Sequence, residues 1–306
     1  MDTNPPRRIL VVDDESNVVK AVTRELNSPP FVGYRYQVEG YTDPQQALER
    51  TREQAFDAVI SDYRMPGMDG LEFLSALALI QPDCVSLVLS GQADREALIH
   101  LINETHIYRF IPKPWHDYYL KGSLYQAIDF GDALSEHRRL SKLVREQSLL
   151  PFPLEKEMDH LLIVDDDLGI LNSIERALTH QTGPTLNQGR LGIHVTQFPI
   201  QAIEMAKKIQ FSCIIADFKM PEMSGIDLLQ KFYELQPDCA RILLSGQISK
   251  EDLIYAIDSP RIFAFIEKPW TDYDLKACIA LALARRQIAM ENAKLAERSE
   301  NSVAQR

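Results

Sequence analysis

The chain has 306 residues, of which 45% are hydrophobic and 25% are charged. This composition is typical of folded soluble domains, and the length predicts about two of them at roughly 150 residues each. The 33 lysines and arginines against 44 aspartates and glutamates give a net charge of −11. That acidic balance argues against direct binding of nucleic acid or of an anionic membrane, since both require a basic surface.

We also expect a cytoplasmic protein with neither a membrane span nor an export signal. No apolar run reaches the ~18 residues that span a bilayer, and the opening residues lack the apolar core of a signal peptide. The cysteines show no C-x-x-C spacing, which favours reduced thiols over a disulfide framework or a zinc site. They are Cys84, Cys213, Cys239 and Cys278.

The second half of the chain repeats the first half. VISDYRMPGMDGLEFL at 59–74 returns as IIADFKMPEMSGIDLL at 214–229, and KPWHDYYLK at 113–121 returns as KPWTDYDLK at 268–276; both pairs are offset by 155 residues. LVVDD at 10–14 returns as LIVDD at 162–166, an offset of 152, and we expect the three extra residues in a longer loop at 181–192. Copies of this length are domains rather than short solenoid repeats.

In chain order, each copy alternates short apolar runs with helical patterns, such as those at 44–53 and 71–80. The strands predicted in the first copy are 8–13, 35–41, 57–62, 85–90 and 107–112. Those predicted in the second copy are 160–165, 193–198, 212–217, 240–245 and 262–267. Several runs are continuously apolar, as in strands covered on both faces of a parallel sheet. The predicted fold class is therefore α/β, with two doubly wound five-stranded parallel sheets.

Helical patterns continue beyond both copies. The segment 131–158 extends the last helix of the first copy until prolines at 151 and 153 break it, and 286–306 extends the second copy in the same way. Apolar residues at helical spacing allow two interpretations: seams for homodimerisation or partner docking, or solvated extensions. The predicted domains are 1–130 and 159–285, joined by the linker 131–158 and followed by the C-terminal extension 286–306.

Acidic, hydroxyl and basic side chains follow the predicted strands of each copy. Because ligands bind beyond the carboxyl ends of the strands in a doubly wound sheet, these side chains should converge at one edge. In the first copy they are Asp13, Asp14, Asp62, Ser90 and Lys113; in the second they are Asp165, Asp166, Asp217, Ser245 and Lys268. Three carboxylates in one cleft favour a hard divalent cation, Mg²⁺ or Mn²⁺, and a carboxylate can also accept a phosphoryl group.

These motifs, in this order and in duplicate, resemble the receiver domains of two-component response regulators, which share the flavodoxin-like fold of the chemotaxis regulator. The resemblance covers about 7–130 and 159–285. It implies that Asp62 and Asp217 are the phosphoacceptors and also contact the metal. The further metal ligands that it implies are Asp14 and Asp166 directly, Asp13 and Asp165 through water, and the carbonyl groups of Arg64 and Lys219.

The resemblance also assigns the groups around a captured phosphoryl group. The hydroxyl and ammonium groups that would bind it are those of Ser90, Ser245, Lys113 and Lys268. Each lysine precedes a proline, and this bond is usually cis in the family. Phe110 and Phe265 stand at the position of the switch aromatic, which is often a tyrosine in the family. Both copies are therefore expected to be competent.

The resemblance implies a response regulator rather than an enzyme. A sensor histidine kinase or a phosphotransfer protein would donate the phosphoryl group, and the chain would signal by altered dimerisation or by binding a downstream protein, without an output domain. A haloacid-dehalogenase-type phosphohydrolase is an alternative, but its general acid would stand at Arg64 and Lys219, which cannot play that role. A scaffold that binds its partner regardless of phosphorylation is a second alternative.

Overall fold

The computed structural model describes residues 5–28, 34–91, 107–115, 119–146, 158–179, 191–246 and 262–304. The chain divides into two compact units, Met1–Ser135 and Glu136–Arg306. Each unit contains one five-stranded sheet, and the regions around these sheets are here called the first and the second domain.

The first domain alternates strands and helices along the chain. Its strands are β1 (Arg7–Val12), β2 (Tyr36–Tyr41), β3 (Ala58–Asp62), β4 (Val85–Ser90) and β5 (Ile107–Pro112). Its described helices are α1 (Ser16–Asn27), α2 (Pro44–Glu53), α3 (Gly70–Ile80) and α4 (Tyr119–Glu146). The strands pair in parallel in the order β2-β1-β3-β4-β5, so β1 and β3 end side by side at the centre of the carboxyl edge.

The second domain has the same plan. Its strands are β6 (Asp159–Val164), β7 (Leu191–Thr196), β8 (Cys213–Asp217), β9 (Ala240–Ser245) and β10 (Ala264–Glu267). Its described helices are α5 (Leu168–Thr179), α6 (Pro199–Ala206), α7 (Gly225–Leu235) and α8 (Asp272–Ala304). The parallel order β10-β9-β8-β6-β7 is the order of the first domain written from the other side.

The apolar strand runs are buried because helices cover the sheets. In β1, the four residues from Ile9 to Val12 are fully buried, and every residue of β3 is buried. Side chains of α2 and α3 pack on one face of this sheet, and in the second domain α5 and α8 pack against β6, β8 and β9. Burial of both faces gives a rigid platform that positions the side chains at the strand ends.

The predicted fold class is confirmed: both domains are α/β with doubly wound parallel sheets, and the last helix of each continues well past its sheet. Helix α4 has 28 residues and α8 has 33. The predicted proline break at 151 and 153 lies outside the described residues, and the predicted domain boundaries stay predictions. Within the described parts of the chain, no helix combines the length and hydropathy needed to cross a bilayer.

The second strand of the second domain differs from its prediction. It spans Leu191–Thr196 rather than 193–198, and Phe198 is the N-cap of α6. Phe198 has extended backbone dihedrals (φ −117°, ψ 114°) because the following proline disfavours the helical region, which makes the segment resemble a strand. Helices α1 and α5 are offset by 152 residues and strands β2 and β7 by 155. The three extra residues therefore lie between Thr179 and Leu191, a segment outside the described residues.

All four cysteines are free and buried. Burial raises the pKa of each thiol for which a shift is resolved, and it raises the pKa of Cys239 to about 12. A thiol with so high a pKa is unreactive at neutral pH, because the thiolate is the reactive form. The cysteines therefore act as apolar core residues.

Candidate functional site

A lysine joins two aspartates at the carboxyl edge of the first sheet. Lys113 Nζ donates to Asp13 Oδ2 at 2.7 Å and lies 2.5 Å from Asp62 Oδ1. Asp13 follows β1, Asp62 ends β3, and Lys113 follows β5. The backbone N–H of Lys113 also donates to the carbonyl of Ser90, at the end of β4, at 2.8 Å. The parallel strand order thus brings together residues that are distant in sequence, as the strand-end argument predicted.

The second domain contains the same arrangement. Lys268 Nζ donates to Asp165 Oδ2 at 2.8 Å and lies 2.5 Å from Asp217 Oδ1. The backbone N–H of Lys268 donates to the carbonyl of Ser245 at 2.8 Å. Asp217 and Ser245 end β8 and β9, and Asp165 and Lys268 directly follow β6 and β10. Two independent copies of one geometry indicate that it follows from the motif and the fold.

Burial and ion pairing oppose each other in both sites. Burial raises the pKa of Asp13 and of Asp165, although a hydrogen bond from the neighbouring lysine acts to lower it. Burial alone would lower the pKa of the two lysines, but hydrogen bonds to two aspartates outweigh it and raise the pKa of Lys113 and of Lys268. The lysines therefore stay positively charged at the centre of each site, where they can stabilise an incoming negative charge.

The first site gathers three carboxylates into a possible metal site. One oxygen from each of Asp13, Asp14 and Asp62 lies within 4.8 Å of the others. Oxygen ligands at this spacing suit a hard cation such as Mg²⁺. Among the described residues, the matching aspartates of the second domain (Asp165, Asp166 and Asp217) form no group this tight. The structure therefore brings the predicted metal ligands together more closely in the first domain than in the second.

Each site also contains a buried serine hydroxyl. Ser90 is 1% exposed and Ser245 is 6% exposed, and neither Oγ has a hydrogen-bond partner among the described residues. A buried hydroxyl without a partner costs free energy, so a pair of them at the same strand end points to a ligand that completes the bond. A phosphoryl group fits, because its oxygens accept from a hydroxyl donor.

Backbone amides orient the aspartates that follow the first strand of each sheet. Asp13 Oδ1 accepts from the N–H of Glu15 at 2.9 Å, and Asp165 Oδ1 accepts from the N–H of Asp167 at the same distance. Each carboxylate thus uses one oxygen to hold the turn into the next helix and the other to bind the site lysine. Fixed in this way, the carboxylates need little reorganisation when a ligand binds.

The segments after β3 and β8 contain the residues whose carbonyl groups were predicted to bind metal. Arg64 and Lys219 are both exposed, two positions after Asp62 and Asp217. The backbone N–H of Lys219 donates to Asp217 Oδ2 at 2.9 Å, which keeps this segment against the carboxylate. The predicted metal-binding role of the two carbonyl groups stays a prediction.

Two glycines that the sequence reasoning did not single out shape the same segments. A Cβ atom on Gly70 would lie 2.0 Å from the carbonyl oxygen of Asp62, and one on Gly225 would lie 2.0 Å from that of Asp217. Only glycine allows α3 and α7 to begin so close to the backbone of these aspartates. The signal was available, because M-D-G and M-S-G stand at the same offset in the two copies.

Each site lysine is followed by a proline and preceded, three residues earlier, by a phenylalanine. The Lys113–Pro114 and Lys268–Pro269 peptide bonds are both cis. Phe110 is partly buried against the core of the first domain, and Phe265 on β10 is also partly buried. Their predicted role as switch aromatics stays a prediction.

The response regulator receiver domain family matches residues 9–124 and 161–280, which together make up most of the chain. The chain belongs to this family. It contains tandem receiver domains, and each matched region contains one of the two lysine–aspartate sites described above.

Known relatives contain similar domains within longer proteins. The hydrogenase transcriptional regulatory protein HoxA of Cupriavidus necator is 31% identical over 137 residues, which cover 45% of this chain and 27% of HoxA. Protein-glutamate methylesterase/protein-glutamine glutaminase 3 of Rhodopseudomonas palustris is 29% identical over 110 residues, 36% of this chain and 29% of the relative. This chain thus spans less than a third of either relative.

A solved receiver structure is also similar to part of the chain. The CheY-like response regulator receiver domain protein of Methanospirillum hungatei has 26% sequence identity and a TM-score of 0.38. The match covers 43% of this chain and 98% of that protein.

Proposed function

We propose that both receiver domains accept a phosphoryl group, on Asp62 in the first domain and on Asp217 in the second. The observation that supports this most directly is the duplicated lysine ammonium between two aspartates, beside a buried serine hydroxyl that has no described partner. A nucleophilic carboxylate, a fixed positive charge and a donor for a phosphoryl oxygen are what phosphoryl transfer to an aspartate needs.

In the proposed reaction, a carboxylate oxygen of the acceptor attacks the phosphorus of a phosphohistidine on a partner protein. The phosphohistidine reacts with a proton already on its other ring nitrogen. A phosphorus–oxygen bond forms, the phosphorus–nitrogen bond breaks, and the imidazole leaves as the neutral ring. Lys113 neutralises charge on the transferring group, and the Ser90 hydroxyl donates to one of its oxygens. Lys268 and Ser245 do the same in the second domain.

A divalent cation, Mg²⁺ or Mn²⁺, would add charge neutralisation between the carboxylates and the phosphoryl oxygens. In the first domain it would be held by Asp13, Asp14 and Asp62 with the carbonyl group of Arg64, and the spacing of the three carboxylates supports this set. In the second domain the matching set is Asp165, Asp166, Asp217 and the carbonyl group of Lys219. In both domains the buried serine hydroxyl, which has no partner among the described residues, supports a site that receives a phosphoryl oxygen.

The phosphoryl group would act as a switch by adding a charge of about −2 at the strand ends. The serine and lysine would move toward it, and Phe110 or Phe265 would fill the space behind them. The altered surface would then change the affinity for a downstream protein or for a second copy of the chain. The donor in this proposal is a sensor histidine kinase or a phosphotransfer protein, and the location is the cytoplasm.

Acceptor substitutions test the proposal. With ³²P-labelled acetyl phosphate and Mg²⁺, the wild-type chain should take up about two phosphates, one per domain, which stay on the chain instead of turning over. Asp62→Asn or Asp217→Asn alone should leave about half of this uptake, and the double variant should take up none. Removal of Mg²⁺ with a chelator should also prevent labelling.

A matched control makes the same change in charge at the opposite edge of the sheets. Asp83 and Asp238 stand just before β4 and β9, at their amino ends. The Asp83→Asn/Asp238→Asn variant should be labelled like the wild type. Labelling of the Asp62→Asn/Asp217→Asn variant at the wild-type level would falsify the assignment, and rapid multiple turnover of a phosphorylated small molecule would favour the phosphohydrolase instead.

A further inference from the structure

The second domain exposes three large apolar side chains beside its acceptor site. Leu168 is 54% exposed, Phe198 is 62% exposed and Ile200 is 52% exposed. Leu168 begins α5, and Phe198 and Ile200 lie at the start of α6. These three residues are here called the apolar rim. Both helices begin at the carboxyl edge of the sheet, which is the edge that holds Asp217.

The first domain has polar residues at all three matching positions. Strand pairing aligns Arg7 with Tyr36 in the first domain and Asp159 with Leu191 in the second, which fixes the correspondence. Leu168 matches Ser16, Phe198 matches Asp43, and Ile200 matches Gln45. The apolar rim is therefore a property of the second domain that the shared fold does not require.

The matching N-cap residue of the first domain stabilises its helix, whereas Phe198 of the apolar rim does not. Asp43 caps α2, because its side chain accepts from the N–H of Gln45 at 2.8 Å. Phe198 occupies the same N-cap position without a side-chain hydrogen bond, and its ring is exposed. An aromatic N-cap both forgoes the cap and exposes apolar surface, so the folded domain alone does not account for it.

The apolar rim lies next to the residues that surround Asp217. Gln197 Nε2 donates to the carbonyl oxygen of Asp166 at 2.8 Å, which ties the start of α6 to the loop that leads into α5. Asp166 and Asp167 are both exposed on this loop. A partner that covers this surface therefore meets apolar side chains next to exposed carboxylates.

We propose that the apolar rim is the docking surface for a protein phosphodonor that loads Asp217, and that the first domain does not bind the same donor. This inference rests on the proposed function, because a donor must bring phosphorus within reach of the acceptor oxygen and so must cover this edge. The complementary donor surface is an apolar patch flanked by basic residues that face Asp167, because the charge of Asp166 is assigned to the cation. A second copy of this acidic chain is a poorer match, since like charges would meet at the rim.

The test exchanges the rims of the two domains. Asp62→Asn leaves Asp217 as the proposed acceptor, and Leu168→Ser, Phe198→Asp and Ile200→Gln then give the second domain the rim of the first. A panel of the ³²P-autophosphorylated histidine kinases of the source organism is presented to the chain with and without these three changes. For kinases that label Asp217, the rate relative to acetyl phosphate should fall by at least about tenfold, the scale of a lost hot-spot side chain.

Controls separate docking from damage to the site. Acetyl phosphate is too small to need the rim, so its labelling rate reports the acceptor site itself. Phe198→Asp should raise the melting temperature of the second domain, followed by Trp270 fluorescence, because it introduces an N-cap. Leu235→Gln removes another exposed leucine, 46% exposed at the far end of α7, and should leave kinase labelling unchanged. The reverse exchange is made in the Asp217→Asn chain, which keeps Asp62 as the acceptor; there Ser16→Leu, Asp43→Phe and Gln45→Ile should give the first domain labelling by the same kinases.

The outcomes distinguish this inference from the proposed function. Unchanged kinase labelling after the rim exchange overturns the inference, as does a full panel in which no kinase labels Asp217 while acetyl phosphate does. A chain that is dimeric only with the wild-type rim also overturns it, in favour of a second copy as the occupant. Failure of acetyl phosphate to label either wild-type domain counts against the proposed function itself.

Discussion

In the first domain the site lysine lies 2.7 Å and 2.5 Å from its two aspartates, and in the second domain 2.8 Å and 2.5 Å. The serine hydroxyl at the end of the fourth strand is buried in both domains. Around this shared centre the two domains differ in three ways. The three carboxylates lie closer together in the first domain, and the apolar rim is present only in the second. The turn after the acceptor has a glycine at 67 in the first domain and a glutamate at 222 in the second. The comparison separates what the acceptor chemistry requires from what each domain adds.

The helices that begin beside the acceptor aspartates leave no room for an added side chain, so substitutions at their first residues should reduce stability most. Gly70→Ala and Gly225→Ala each place a methyl group against the carbonyl oxygen of the acceptor aspartate, so the helix or the strand end must move. We expect a loss of about 3 kcal/mol in the unfolding free energy of the affected domain, together with slower labelling by acetyl phosphate.

The measurement can be made one domain at a time. The chain has two tryptophans, Trp115 in the first domain and Trp270 in the second, so Trp270→Phe or Trp115→Phe leaves a reporter for one domain. Gly40→Ala serves as a contrast to these two substitutions. Its methyl group would lie 2.4 Å from Val19 Cγ1, so a side chain rather than the backbone would have to move. If the glycine substitution lowers the unfolding free energy greatly in one domain and not in the other, the two acceptor sites are not equivalent.

Much of the fold and the placement of the site residues was predictable, because both depend on pattern. Continuously apolar runs identify buried parallel strands, and the strand-end rule then places distant residues such as Asp13 and Lys113 at one edge. The features that escaped prediction depend on side-chain conformation or on single backbone dihedrals. Phe198 resembled a strand residue because its proline neighbour keeps it extended, and nothing in the pattern revealed that it occupies the N-cap position of a helix with its ring exposed.

A histidine pair should make the stability of the second domain depend on pH. His160 Nδ1 lies 3.1 Å from His194 Nε2, and the rings of His194 and Phe211 pack in a T-shaped arrangement with their centroids 5.4 Å apart. Burial and the neighbouring His160 lower the pKa of His194 below its ordinary value of 6.5. The folded domain thus binds fewer protons than the unfolded chain as the pH falls through about 6.5, so its stability should decrease on acidification.

We expect this loss to be less than about 1 kcal/mol between pH 7 and pH 5, because the pair is only partly buried and water screens it. Unfolding of the second domain, followed by Trp270 in chains with and without His194→Gln, should isolate the contribution. The matching residues of the first domain are Arg8 and Glu39, and Glu39 pairs with Arg50 at 2.9 Å. If His194→Gln leaves the pH dependence of the second domain unaltered, the histidine pair is not its source.

The smallest expected effect concerns the turn that follows each acceptor by five residues. Gly67 has φ 82° and Glu222, its counterpart, has φ 68°, so the second domain places a non-glycine residue in the left-handed region. The strain of a side chain there exceeds the entropy that glycine loses, so Glu222→Gly should stabilise the second domain by about 0.5 kcal/mol. Gly67→Glu should destabilise the first domain by a similar amount, since a Cβ there meets no atom within 4 Å and the cost is torsional. Equal and opposite shifts of the two melting temperatures would show that the turns share one backbone conformation. Destabilisation by Glu222→Gly would instead show that the glutamate side chain contributes to the stability of the second domain.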